Sequence, residues 1–91
     1  MVIRGFKRLA GFERDLLSAS HELQDAVQKA LKKLLENPQS RILRMEKLSG
    51  FENVYTIHIT GNHSHKLSFN MNGDIAVLRR LDTHKSIDRN P

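Results

Sequence analysis

The feature that most constrains this chain is a change of hydrophobic period at Asn37-Pro38. Before it, Leu23, Val27, Ala30, Leu31, Leu34 and Leu35 recur at steps of three and four, with Lys29, Lys32 and Lys33 on the opposite side. That spacing predicts an amphipathic helix that buries one stripe. Ser20 is placed as its N-cap, Glu22 and Asp25 follow where carboxylates suit the positive helix end, and Pro38 stops it by lacking an amide hydrogen. Beyond Ser40 the period becomes two. Segments 43–48, 54–60, 64–70 and 74–81 read as strands, divided by Ser49-Gly50, Gly61-Asn62-His63 and Asn72-Gly73, and such short connections imply an antiparallel meander. Upstream, 2–6 alternates like a short strand, and 9–17 reads as a short helix with Phe12, Leu16 and Leu9 on one face. The arrangement that buries all these apolar faces is α+β, with two N-terminal helices packed on one face of an antiparallel meander. Ninety-one residues support one such domain, 1–91, and residues 85–91 read as loose.

Composition narrows the function. With no cysteine, the chain has neither a disulfide framework nor a thiolate metal site, which fits a reducing compartment. No apolar run approaches a membrane span and the N-terminus lacks a signal-peptide core, so the expected location is the cytoplasm, without a membrane partner. Fifteen Lys and Arg against ten Asp and Glu leave a formal charge of +5. That balance attracts polyanions, nucleic acid first among them, although an acidic protein would also satisfy it.

Register then places the polar groups. A three-residue loop at Gly61 to His63 pairs Ile57 with Leu67 and Tyr55 with Phe69, so the oily faces coincide. It also sets His58 across from Lys66 and Thr56 beside Ser68 on the polar face. A two-residue turn at Asn72-Gly73 pairs Leu67 with Leu78 and Phe69 with Ala76, which puts Arg79 across from Lys66. The expected site is therefore an open cationic sheet face bearing a row of His58, Lys66 and Arg79. On such a face, His58→Ala is expected to cost about 0.5 kcal/mol or less.

The stretches Phe12-Glu13-Arg14-Asp15-Leu16, Leu34-Leu35-Glu36-Asn37-Pro38, Lys47-Leu48-Ser49-Gly50, Asn53-Val54-Tyr55 and Val77-Leu78-Arg79-Arg80-Leu81-Asp82-Thr83-His84 resemble, in order and spacing, the RelE/ParE toxin superfamily. The resemblance covers nearly the whole chain. It implies two helices on a meander, a cognate antitoxin that wraps the toxin, and, in the RelE branch, ribosome-dependent cleavage of mRNA. Members of the ParE branch instead inhibit DNA gyrase, and shared fold does not choose between the two. A histidine-using subset of the nuclease branch carries a histidine on a middle strand, an acidic residue four positions later and a second histidine after the last strand. His58 and His84 match that pattern. Asn62 stands in the acidic position, Lys66 replaces a common arginine, Asp82 replaces the usual glycine, and no aromatic residue follows His84 closely.

Cleavage of RNA without a metal needs a base for the 2′-hydroxyl proton, an acid for the departing 5′-oxygen and cations around the phosphorane. His58 and His84 suit the proton transfers because an imidazole titrates near neutrality. Glu46 is a further candidate base, since some relatives use a glutamate near that position. Lys66, Arg79, Lys85, Asn62 and Lys47 are the candidate contacts to RNA phosphates. A zinc site built from His58, His63 and His65 is disfavoured, because His58 and His65 fall on opposite faces of the hairpin, so no metal or other cofactor is expected. The gyrase-directed toxin remains an alternative, as does a noncatalytic basic module bound to an acidic partner. The expected antitoxin is itself acidic and covers the open face and the sheet edges.

Overall fold

The computed structural model describes residues 1–59 and 64–91; the expected loop 61–63, with Asn62 inside it, lies outside the described residues. Strand β1 (Gly5–Arg8) leads into helices α1 (Ala10–Leu17) and α2 (His21–Glu36), followed by one 3-10 turn at Arg41–Leu43. Strands β2 (Glu46–Lys47), β3 (Val54–Ile59), β4 (His65–Asn72) and β5 (Ile75–Thr83) come next, and α3 (His84–Arg89) closes the described chain. The sheet order is β1-β5-β4-β3-β2.

Helix α2 begins where its cap dictates, with Ser20 Oγ accepting from the Leu23 amide at 3.1 Å. Its stripe of Val27, Ala30, Leu31 and Leu34 is buried against Ile57, Ile59, Leu67, Phe69 and Leu78, together with Phe12 from α1. Tyr55 stacks on Phe69 with ring centroids 5.6 Å apart. Leu35, expected in the same stripe, is exposed.

Three expectations need correction. The sheet is mixed, since β1 pairs with β5 in parallel after the chain has crossed both helices and the meander. Segment 43–48 supplies only the short β2, because a 3-10 turn takes up its beginning and leaves Arg44 in the left-handed region at φ 47°. Most consequentially, the polar face is not open. Residues 84–89 form α3, capped by Thr83 Oγ1 accepting from the Ser86 amide at 3.4 Å, and Ile87 and Pro91 are buried. With this segment in place, Thr56 and Ser68 are 0% exposed, Lys66 5% and His58 9%. The last residues escaped the sequence pattern because one buried isoleucine in six helical positions leaves no periodic signal.

Helix α1 is tied to β5 by charge. Asp15 Oδ2 accepts from Arg80 Nε at 2.7 Å and from the Leu81 amide at 2.9 Å, and Arg80 Nη2 also donates to Asp82 Oδ2 at 3.0 Å. The hydrogen bond to Asp15 is the largest reason that Arg80 holds its proton more tightly than usual. Truncating Asp15 leaves two partly buried donors without an acceptor. Asp15→Ala should therefore lower unfolding stability by about 1–3 kcal/mol, read from the urea midpoint at unchanged slope. An unchanged midpoint would show the tie to be idle.

Candidate active site

The hairpin register is as the sequence implied: Tyr55 faces Phe69, Thr56 faces Ser68, Ile57 faces Leu67 and His58 faces Lys66. The next hairpin differs. Gly73, at φ 63°, occupies the first central position of its turn, where a type II′ hairpin turn requires glycine, so Asn72 pairs with Ile75 and Phe69 with Leu78. A bulge then intervenes between Ser68 and Phe69, leaving Arg79 as the extra residue on β5 and setting Leu67 opposite Leu81. Lys66 consequently faces Asp82, not Arg79. The turn was misread by taking Asn-Gly as its centre, and a bulge has no signature in simple alternation.

Three candidate residues do come together. Glu46 pairs with Thr56, which puts it on the His58 side of the sheet, and Glu46 Oε1 lies 4.0 Å from His58 Nε2. The rings of His58 and His84 meet edge to face, with centroids 4.6 Å apart at 80°. His84 Nε2 is buried and has no hydrogen-bond partner among the described residues, nor has Thr56 Oγ1. Lys66 Nζ donates to Asp88 Oδ1 at 2.9 Å. Burial is the largest cause lowering the His58 pKa, helped by the charges of His84, Lys66 and Arg44 and opposed by Glu46. A neutral imidazole therefore sits between a carboxylate and a second imidazole.

The remaining candidates are placed otherwise. Arg79 Nε donates to the Pro91 carbonyl at 3.2 Å and its Nη1 to Asn70 Oδ1 at 3.3 Å. Lys47 is exposed and pairs with Tyr55, in the register opposite to Glu46. Lys85 is exposed on the first turn of α3, and Asn62 lies outside the described residues. Among the described residues, no group of three or more His, Cys, Asp or Glu side chains is placed to hold a metal. Sequence reasoning missed Asp88 and Arg44. The Thr83-x-x-Ser86 spacing was a usable sign that a helix begins there.

Burial also revises the cost of removing His58. Its truncation opens space in a packed environment, so His58→Ala should exceed the loss of an exposed residue. The pH dependence has a definite sign. Unfolded His58 takes up a proton near the ordinary 6.5 while the folded one resists, so acid favours the unfolded chain. The contribution of His58 is complete above about 6.5 and declines as pH falls from there through the lowered folded value. In urea titrations between neutrality and mild acid, wild type should lose more stability than His58→Gln across that window. Parallel curves would refute the lowered pKa.

No family model matches this chain, and no curated protein does. Solved structures do. YafQ from E. coli strain BL21(DE3) superposes with a TM-score of 0.74 at 15% identity, covering 92% of this chain and 97% of that one. A chain of the RelB-RelE antitoxin-toxin complex from Methanococcus jannaschii gives 0.68 at 24% identity, covering 93% and 99%. The YoeB dimer from Staphylococcus aureus gives 0.72 at 18% identity, covering 88% and 95%. With near-complete coverage in both directions and the same α+β architecture, this chain has the fold of the RelE/ParE-type toxins.

Proposed function

We propose that this protein is the toxin of a type II toxin-antitoxin system and that it cleaves mRNA on the ribosome without a metal or other cofactor. The observation that carries the reading is the meeting of Glu46, His58 and His84, three proton-transfer groups from β2, β3 and the start of α3. A fold that acts only by blocking another protein has no need of such a cluster. That similar folds occur in the RelB-RelE and DinJ-YafQ complexes supports a cognate antitoxin as the second partner.

In this mechanism neutral His58 accepts the 2′-hydroxyl proton, and Glu46 stabilises the imidazolium so formed. The 2′-oxygen attacks phosphorus, and the bond from phosphorus to the 5′-oxygen breaks. His84 supplies the proton that the leaving 5′-oxygen needs; its Nε2 has no internal bond to break among the described residues. Lys66 and Arg79 lie on the same sheet face as cations for the phosphate oxygens. The products are a 2′,3′-cyclic phosphate and a 5′-hydroxyl. Because burial favours neutral His58, the base remains competent somewhat below pH 6.5.

The test is cleavage of mRNA on programmed ribosomes, with gyrase supercoiling assayed in parallel. His58→Ala and His84→Ala should each slow cleavage by about a hundredfold or more while still unfolding cooperatively. The acid limb of the wild-type rate profile should fall below the ordinary histidine value of 6.5. Full activity in both variants would shift the base to Glu46, and inhibited supercoiling with intact mRNA would support the gyrase-directed alternative.

A further inference from the structure

The polar sheet face holds donors that the proton-transfer chemistry does not use. Ser68 Oγ and Arg79 Nε both donate to the Pro91 carbonyl oxygen, each at 3.2 Å. Two residues back along β4, Lys66 Nζ donates to Asp88 Oδ1 at 2.9 Å. Alternate residues of a strand project from one face about 6.6 Å apart. Two oxygen acceptors from one short segment thus rest on donors carried by alternate residues of one strand. The bulge at Arg79 takes its guanidinium out of regular alternation and aims it at the second acceptor.

Among the described residues, few other side-chain bonds hold the segment to the sheet. A helix of six residues is not stable alone, and its grip on the sheet comes from buried Ile87, from Asp88 and from Pro91. His84 is secured separately, since its amide donates to the Ser64 carbonyl at 3.3 Å and so extends the β4–β5 ladder. The tie of the His84 backbone to the sheet therefore involves none of residues 85–91.

We propose that residues 85–91 are a built-in occupant of a two-phosphate site. Asp88 on Lys66 takes the place of one phosphate, and the Pro91 carbonyl on Ser68 and Arg79 takes the place of the next. An incoming RNA strand must displace the segment to lie beside His58. Displacement favours the strand because each phosphate offers two charged oxygens, where Asp88 and Pro91 each present a single oxygen to these donors. The identity of the strand as substrate rests on the nuclease reading; the competition for these donors does not.

The experiment measures binding without chemistry, using a fluorescent 2′-O-methyl oligouridylate that lacks the attacking hydroxyl. At low salt, Asp88→Asn should bind it about five- to tenfold more tightly than wild type, because it removes a competing anion from a phosphate contact. Adding Lys66→Ala should abolish the gain. Amide exchange at residues 86–90 of wild type should speed up once the strand is bound. If Asp88→Asn does not melt cooperatively, Ile87→Ala loosens the same segment without touching a donor and should also bind more tightly. Equal or weaker binding by a folded variant, unchanged exchange in the bound protein, or no binding by any of them would overturn the proposal. Tighter binding by Asp88→Asn with no cleavage on ribosomes would leave the occupant in place and remove only the nuclease reading.

Discussion

A lysine that is 5% exposed must have a counter-charge, because taking an unpaired cation out of water costs several kcal/mol. Asp88 supplies it at 2.9 Å, and much of the site follows from that pairing. The bond holds α3 on the sheet, and α3 begins at His84. The ring of His84, whose amide is tied to the Ser64 carbonyl, lies against His58, which loses water and, with Lys66 nearby, holds a proton less readily than a free imidazole. The ion pair therefore links the position of a terminal helix to the protonation of a strand residue.

A second constraint is the path of β5. The turn places Gly73 where the backbone needs a positive φ, and the bulge then adds one residue, so that Leu78 and Leu81 both reach the core. In regular alternation those two positions would face opposite sides. Arg79 is left as the inserted residue, directed towards Asn70 and Pro91, while Arg80 turns to Asp15 on α1. One irregularity thus divides two neighbouring arginines between separate tasks: one on the polar face, one binding helix to sheet.

The likeness to YafQ and to the other toxin structures at 11–24% identity is a likeness of packing. The core here is built from aliphatic residues and two phenylalanines, which many sequences can replace if volume and pattern are kept. Chemistry is less forgiving, since a proton can move only between groups that meet. For that reason the functional reading rests on the contacts among Glu46, His58 and His84.

The sequence by itself determined the two helices, the cap at Ser20, the strand sequence from 54 onward and the pairing of His58 with Lys66. Each follows from a local period, or from aligning two oily faces across one short loop. Even the association of Glu46, His58 and His84 as candidates was legible, though only through resemblance to a family, since nothing in spacing alone brings positions 46, 58 and 84 together. The tertiary structure decided what local patterns do not encode: the parallel return of β1, the bulge that parts Arg79 from Lys66, and the burial of the polar face. That burial depends on Asp88 and Pro91 meeting residues about twenty positions away, and a contact between distant segments leaves no period in either. An open cationic face and a covered one have the same strand sequence; they differ in whether the last turn of chain finds its charge partner.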